Sequence, residues 1–180
     1  MRQRELSCSN PGTRVGRLRK VCAGYGVGDA IIRTGQCHCG AVRFAVTLSD
    51  GFDSIRRCTC SFCRMRGAVV GMAEMGGITI LQGAETLTRY RFHTRSAEHF
   101  FCARCGIYTH HQRRSDRNLY AVNVACLDGV SPFDFPEVPV VDGVNHTSDT
   151  GRPARRAGTL RFIRAGQDPL RPPSRPPGPP

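Results

Sequence analysis

The sequence predicts a mainly β fold, and three features support this prediction. Twelve prolines and twenty glycines in 180 residues, with no tryptophan, predict many turns and short strands rather than long helices. The apolar residues Val42, Phe44 and Val46 alternate with Arg43 and Ala45, which is the period of a strand. With 39% hydrophobic residues, a chain of this length can bury one good core, so we expect a single domain.

The predicted strands begin after a tight turn at residues 37–40, where glycine permits the backbone to bend. A second short strand is predicted to end at Cys58. Three apolar runs after it repeat the strand pattern, which predicts a meander: residues 68–73, 78–81 and 87–92. Residues 119–127 are the last predicted strand, and the proline-punctuated residues 131–143 are expected to lie extended over the core.

The single domain is predicted to span residues 31–149, between two basic flanks. Residues 1–30 lack a sustained period of 2 or 3.6, so a flexible leader is predicted there. Residues 150–180 are rich in arginine and proline and offer little apolar surface, which predicts a disordered tail. Removing residues 151–180 is therefore expected to leave the folded core unchanged.

The net charge of +12 lies mostly outside this domain. Residues 1–30 carry +4, residues 31–150 carry +2 and residues 151–180 carry +6. The flanks are rich in arginine but poor in aromatic residues, which favours solvated tails over a shaped basic groove. We therefore do not expect a nucleic-acid partner, apart from non-specific contact of the tails with polyanions.

Ten cysteines in a small chain are typical of secreted disulfide frameworks, but such a framework needs an entry signal. The amino terminus lacks the apolar run of a signal peptide, and no window approaches the roughly 18 consecutive apolar residues of a membrane span. We therefore expect a cytoplasmic protein without a membrane partner, in a compartment where thiols stay reduced and can bind metals.

Seven of the cysteines occur in close sets, and their spacing is typical of zinc ligands. Cys37 with Cys39, and Cys102 with Cys105, form two short pairs that predict one structural zinc site with four thiolate ligands. The remaining set is a trio with no fourth cysteine nearby: Cys58, Cys60 and Cys63. Cys8 and Cys22 also have no near partners in the sequence and are interpreted as incidental thiols.

The missing fourth ligand of the trio decides its chemistry. If water or a substrate thiol takes that position, the site is reactive, whereas closure by His110, His111 or Cys126 makes it a second structural site. A third alternative is a set of redox-active thiols without a metal. Three thiolates on zinc favour the binding and deprotonation of an incoming thiol over the generation of hydroxide.

Two arginines follow the trio directly. A thiolate beside a small carbonyl compound could add to it as a hemithioacetal, and Arg64 or Arg66 could then hold an anionic end of the substrate. The alternative for both arginines is a solvated protein face.

Three cysteine motifs together resemble the glutathione-dependent formaldehyde-activating enzyme family: Gly35-x-Cys37-x-Cys39-Gly40-x-Val42, Cys58-x-Cys60-x-x-Cys63 and Phe101-Cys102-x-x-Cys105-Gly106. The resemblance covers about residues 31–149. Four further stretches are similar to the branch of the family that includes centromere protein V: Tyr90-x-Phe92, His99, Arg113-Arg114-Ser115 and Cys126-Leu127-Asp128.

This resemblance implies a fold, two metal sites and an activity. The fold would be the coiled β-sheets of Mss4-like proteins. Of two zinc ions per chain, a structural one would lie at Cys37, Cys39, Cys102 and Cys105, and a catalytic one would lie at Cys58, Cys60 and Cys63. The implied activity is that of a carbon–sulfur lyase, which forms or cleaves an adduct of glutathione, as co-substrate, with an aldehyde, such as S-(hydroxymethyl)glutathione.

Two hypotheses about function therefore stand at the level of sequence. The first is a zinc-dependent lyase whose partners are a small-molecule thiol and an aldehyde. The second is a noncatalytic zinc-binding interaction module with basic tails. An open coordination position at the trio distinguishes the first from the second.

Overall fold

A computed structural model describes residues 30–167, in which eleven strands and two short helices alternate with turns. The strands lie as follows: β1 Ile31–Gln36, β2 Arg43–Leu48, β3 Arg57–Cys58, β4 Val70–Glu74, β5 Ile78–Gln82, β6 Leu87–Tyr90, β7 Glu98–Cys102, β8 Tyr108–Gln112, β9 Leu119–Asn123, β10 Glu137–Val141 and β11 Arg156–Arg161. Helix α1 spans Ser61–Arg66 and helix α2 spans Thr147–Thr150.

The strands form three sheets. Strands β1, β2 and β5 form an antiparallel sheet with β2 in the centre, and a five-stranded antiparallel sheet has the order β4-β9-β8-β7-β6. In the third sheet, β10 lies between β11 and β3 and pairs with β3 in parallel. The parallel register aligns Val140 with Arg57 and Val141 with Cys58.

The main core lies where β2 faces the five-stranded sheet. Phe44, Val46 and Leu48 are buried along one face of β2, and they belong to one apolar cluster with Val122 and Val124. Each buried side chain of this size contributes about 1.5–3 kcal/mol through its removal from water. The alternation seen in the sequence therefore corresponds to burial of one face of β2.

The mainly β fold class is confirmed. The prediction that residues 68–92 form a meander of neighbouring strands is wrong. Strands β4 and β6 belong to the five-stranded sheet, whereas β5 pairs with β2 in another sheet. Strand periodicity shows which face of a strand is buried, but it does not encode the partner, because pairing is set by long-range packing. The last strand predicted in that region is also shorter, since β9 ends at Asn123 and a 3₁₀ turn covers Val124–Cys126.

The prediction of disorder from residue 150 onward is wrong for β11. This strand pairs with β10 in an antiparallel register, and Arg161 forms an ion pair of 2.7 Å with Glu137. All six residues of β11 are exposed, so no apolar alternation marks the strand in the sequence. Its order comes from the hydrogen-bonded ladder with β10. Residues 1–29 of the predicted leader and the end of the predicted tail, residues 168–180, lie outside the described residues.

Within residues 30–167, no helix has both the length and the apolar character needed to cross a membrane.

Candidate metal centre and active site

The two cysteine pairs predicted to share a metal lie together in the structure. Cys37 and Cys39 lie in the turn between β1 and β2, while Cys102 and Cys105 lie at the end of β7 and in the turn that follows. The backbone N–H of Val42 donates to Cys37 Sγ at 3.3 Å. Both turns contain a glycine with positive φ, 72° at Gly40 and 71° at Gly106, as these tight loops require.

The sulfur geometry of this tetrad fits zinc. Four sulfurs around a tetrahedral zinc, each about 2.3 Å from the metal, lie roughly 3.8 Å from one another. Cys39 Sγ lies 3.6 Å from Cys37 Sγ and 3.8 Å from Cys102 Sγ. All four cysteines are free thiols, and the spacing is too long for a disulfide. The tetrad can therefore hold a zinc ion that joins the sheet of β1 and β2 to the five-stranded sheet.

The thiol trio is built where β3 passes into helix α1. Cys58 ends β3, Cys60 caps the amino end of α1, and Cys63 lies one turn into the helix. The backbone N–H of Cys60 donates to Cys58 Sγ at 3.4 Å, and that of Cys63 donates to Cys60 Sγ at 3.3 Å. Hydrogen bonding with Cys58 lowers the pKa of Cys60 and raises that of Cys63. The three Sγ atoms lie within 4.8 Å of one another, so they can also bind one metal ion.

The trio offers three candidate ligands in the structure. No other histidine, cysteine, aspartate or glutamate between residues 30 and 167 brings a ligand atom into this cluster. Of the three candidates for closure, His110 stacks on Phe100 and His111 hydrogen-bonds to Tyr108. The thiol of Cys126 is buried in the core, where burial raises its pKa to about 12. The described part of the chain thus leaves one face of the trio without a protein ligand.

That face opens into a cavity of about 600 Å³. This volume falls within the range of roughly 300–1,000 Å³ that is typical of small-molecule sites. Besides the trio, the lining comes from residues 56–57, helix α1, residues 68–72, β7 and the loop before it, the β8–β9 region, and residues 141–154. The cavity therefore brings the thiols into contact with a space that can admit a ligand.

Six arginines line this cavity: Arg56, Arg57, Arg64, Arg66, Arg113 and Arg114. The only described carboxylates in the lining are already engaged, since Asp149 pairs bidentately with Arg114 and Asp142 accepts from the Asn145 backbone and side chain. Apart from Arg114, none of these arginines has a described carboxylate within 4 Å. The cavity wall therefore carries excess positive charge.

Arg56 and Arg113 both line the cavity, and their positive charges interact. Burial lowers the pKa of Arg56 and of Arg113, and the charge of Arg56 lowers the pKa of Arg113 further. Two partly buried like charges repel each other when no anion lies between them. A bound carboxylate would relieve this repulsion, so this wall is suited to an anionic ligand.

The two arginines named from the sequence have different surroundings. Arg64 is exposed at the cavity. Arg66 turns inward, where its guanidinium donates to Cys63 Sγ at 3.3 Å and to His99 Nδ1 at 3.1 Å. Its Cζ lies 3.4 Å from the ring centroid of Tyr108. Arg66 thus hydrogen-bonds directly to the trio, and its assignment to a substrate carboxylate stays a prediction.

Several cavity residues were not predicted from the sequence. Gly143, after β10, lies so close to the trio that a Cβ there would stand 2.8 Å from Cys60 N and 2.9 Å from Cys60 Cβ. Its backbone N–H donates to Thr59 Oγ1 at 2.9 Å. Arg56 also lines the cavity and was not predicted, whereas His111 was named as a possible ligand and Arg113 belongs to a stretch named for the family resemblance. No local motif marks Gly143, because it reaches the trio through the pairing of β10 with β3.

Comparison with known proteins gives the same family as the cysteine motifs. The family model described as "Glutathione-dependent formaldehyde-activating enzyme" matches residues 32–138. A protein of Halomonas elongata, provisionally named as such an enzyme, is 34% identical over 79 residues, which are 39% of this chain and 50% of the relative. The chain thus spans about half the length of this relative.

A crystal structure of a Rhodobacter sphaeroides protein, a structural genomics target, is also similar. It is 56% identical, with a TM-score of 0.59, and the match covers 59% of this chain and 98% of the other chain. The likeness to the centromere protein V branch stays a prediction. The family match covers more than half of the chain and includes all seven clustered cysteines, so the chain belongs to the glutathione-dependent formaldehyde-activating enzyme family.

Proposed function

We propose that this protein is a zinc-dependent carbon–sulfur lyase that forms or cleaves an adduct of glutathione with a small aldehyde such as formaldehyde. One observation carries the proposal: the trio of Cys58, Cys60 and Cys63 has three thiolate ligands, and its open face borders a ligand-sized cavity. A structural zinc site has four protein ligands, whereas a catalytic one typically has three and an exchangeable position. The tetrad has the first arrangement and the trio has the second.

In this proposal the tetrad holds a structural zinc and the trio holds a catalytic one, so the chain binds two zinc ions. Zinc at the trio would supply a fourth coordination position for the glutathione sulfur and lower the pKa of that thiol. Adduct formation joins the sulfur to the carbonyl carbon, while the carbon–oxygen π electrons move to the oxygen, which takes up a proton. Cleavage reverses each change.

The residues of the chain bind and orient the tripeptide around this position. Glutathione carries two carboxylates, and the arginine-rich wall offers several guanidinium groups without described carboxylate partners. Arg64, exposed at the cavity mouth, is one group that can bind a carboxylate. Arg66 donates a hydrogen bond to Cys63 Sγ, and its positive charge compensates part of the negative charge that a fourth thiolate adds. Reduced thiols suit the cytoplasm, where we place this reaction.

Glutathione binding at the trio provides the test. With cobalt in place of zinc, added glutathione should shift the thiolate-to-metal absorption, because a new sulfur ligand enters the coordination shell. A Cys60→Ser variant should lose this response while the tetrad keeps its own cobalt spectrum. The matched control is Cys126→Ser, which removes a thiol that belongs to neither cluster.

A different result would favour the other hypothesis. If saturating glutathione leaves the spectrum of the folded, fully metallated protein unchanged, the trio does not accept a thiol. The lyase proposal would then be abandoned for a noncatalytic zinc-binding module.

A further inference from the structure

A chain of hydrogen bonds and stacked rings connects the trio to a histidine on the cavity wall. Arg66 contacts Cys63 and His99, and it stacks on Tyr108. The hydroxyl of Tyr108 lies 2.6 Å from His111 Nδ1 and 2.9 Å from the carbonyl oxygen of Ala121. The rings of His99 and His111 lie 4.8 Å apart, centroid to centroid. These contacts determine which ring nitrogens carry protons.

The contact with Arg66 determines which ring nitrogen of His99 carries the proton. A guanidinium can only donate hydrogen bonds, so His99 Nδ1 must accept one and must be unprotonated. Neutral His99 therefore carries its proton on Nε2. Burial, together with the charge of Arg66, lowers the pKa of His99 to about 4, in agreement with a neutral ring.

The two contacts of the Tyr108 hydroxyl determine which ring nitrogen of His111 carries the proton. A carbonyl oxygen can only accept, so the single hydroxyl proton of Tyr108 must go to Ala121 if that contact is a hydrogen bond. The contact at 2.6 Å is then also a hydrogen bond only if His111 donates from Nδ1 to the tyrosine oxygen. This is the one assignment that satisfies both contacts. It leaves Nε2 of His111 unprotonated.

The free nitrogen of His111 is on the cavity side of the ring. Nδ1 is directed to the buried Tyr108, which does not line the cavity, whereas His111 does. Among residues 30–167, no group hydrogen-bonds to His111 Nε2, and this atom is not one of the buried polar atoms that lack a partner. The unprotonated Nε2 of His111 is thus a proton acceptor that faces the cavity beside the trio.

We propose that His111 is the catalytic residue that transfers the proton of the adduct, an inference that rests on the proposed lyase function. During cleavage, Nε2 takes the hydroxyl proton of the hydroxymethyl group, the O–H electron pair forms the carbonyl bond, and the carbon–sulfur bond breaks to leave the thiolate. During formation, the resulting imidazolium returns the same proton to the aldehyde oxygen as sulfur bonds to carbon. Tyr108 is the positioning residue that sets the tautomer.

The surroundings of His111 keep it unprotonated near neutral pH. Burial lowers its pKa well below the ordinary value, and the positive charges of Arg66 and Arg113 lower it further. An imidazole in this state is a proton acceptor rather than a counter-charge for the thiolates. The cationic surroundings that suit carboxylates therefore also keep this base neutral.

The test measures the exchange between free formaldehyde and its glutathione adduct by NMR in the zinc-loaded protein. Because general acid–base catalysis contributes about 10²–10⁴-fold, His111→Gln should lower the enzyme-dependent rate by roughly a hundredfold or more. His111→Ala should regain part of the rate when free imidazole is added. The matched control, His110→Gln, alters the next residue, which stacks on Phe100 and does not line the cavity. This control should keep the wild-type rate.

A second variant covers the case in which His111 variants fail to fold. Tyr108→Phe keeps the ring under Arg66 and removes only the hydroxyl, so it should lower kcat while the cobalt response to glutathione is retained. Wild-type rates in His111→Gln, or in Tyr108→Phe when no His111 variant folds, would overturn the proposal. So would a His111→Ala rate that imidazole does not raise.

The two proposals fail in different ways. If the wild type accelerates exchange and His111→Gln is equally fast, the lyase function stands and the role of His111 is overturned. If glutathione enters the cobalt site but the wild type does not accelerate exchange, both the lyase reaction and the role of His111 are overturned.

Discussion

At the scale of single residues, Gly143 sets the shape of the trio. The backbone at this position approaches Cys58 Sγ and Cys60 so closely that only a residue without a side chain fits. The same approach lets the backbone N–H of Gly143 bond to Thr59, between two of the ligands. Gly143 thus helps to hold the turn of the trio although it lies 84 positions from Thr59 along the chain.

We expect Gly143→Ala to weaken metal binding at the trio without unfolding the domain. The added methyl must displace the backbone or the thiols, and overpacking of this kind typically costs about 1–3 kcal/mol, which corresponds to at least a fivefold loss of affinity. Cobalt titration followed by absorption would measure the affinity of each site. Gly158→Ala is the matched control, since a Cβ there meets no atom within 4 Å. Equal affinities in the two variants would contradict this account of Gly143.

At the scale of elements, the third sheet connects the carboxyl-terminal strands to the trio. Strand β10 pairs with β11 on one side and with β3 on the other, and the backbone N–H of Thr59 donates to Val141 at 3.1 Å. Residues 141–154, which follow from β10, form one wall of the cavity. The family match ends at residue 138, so this wall lies beyond the part of the chain that the family model covers.

Removal of β11 is accordingly expected to disturb the trio, contrary to the expectation from the sequence that residues 151–180 are dispensable. A chain that ends at Arg155 loses the ladder that holds one edge of β10, and β10 aligns Cys58. Its cobalt affinity at the trio should fall, while the tetrad should bind as before. A chain that ends at Gln167 keeps β11 and is the control. Unchanged binding in the shorter chain would show that β3 alone suffices to place Cys58.

At the scale of the whole molecule, the two clusters have different structural consequences. The tetrad joins turns that are more than 60 residues apart and lie in two different sheets. Cys37 and Cys102 are fully buried, whereas all three thiols of the trio are half-buried. The trio takes its ligands from one short turn. We therefore expect the loss of a metal at the tetrad to weaken the contact between two sheets, and loss at the trio to loosen one turn.

We expect Cys102→Ser to lower the melting temperature far more than Cys60→Ser does. Zinc at a structural site contributes folding free energy directly, on the order of 10 kcal/mol in zinc-finger peptides. Thermal melts followed by circular dichroism, with metal analysis of the same samples, would compare the two variants. Wild type should contain two zinc ions per chain and release the ion of the trio first to a chelator. Equal loss of stability in both variants would contradict the division of roles.

The cysteine clusters could be predicted from the sequence because each pair or trio lies in a short turn, where spacing alone limits the geometry. Cys58, Cys60 and Cys63 had to lie close together in any fold of this chain. The buried face of β2 was predictable for a similar reason, since alternation is a local property. Strand β11 could not be predicted, because its exposed residues owe their order to a partner strand.

The sequence by itself thus determined which thiols gather and to which family the chain is similar. Only the tertiary structure decided that none of His110, His111 and Cys126 joins the thiol cluster of the trio, and that the trio borders an arginine-lined cavity. It also decided that Arg66 turns inward and that the hydroxyl of Tyr108 contacts His111 Nδ1. The physical reason is the difference between local and long-range contacts. The spacing of cysteines limits the geometry of only a few neighbouring residues, whereas a cavity wall forms where strands that are distant in the sequence pair and pack.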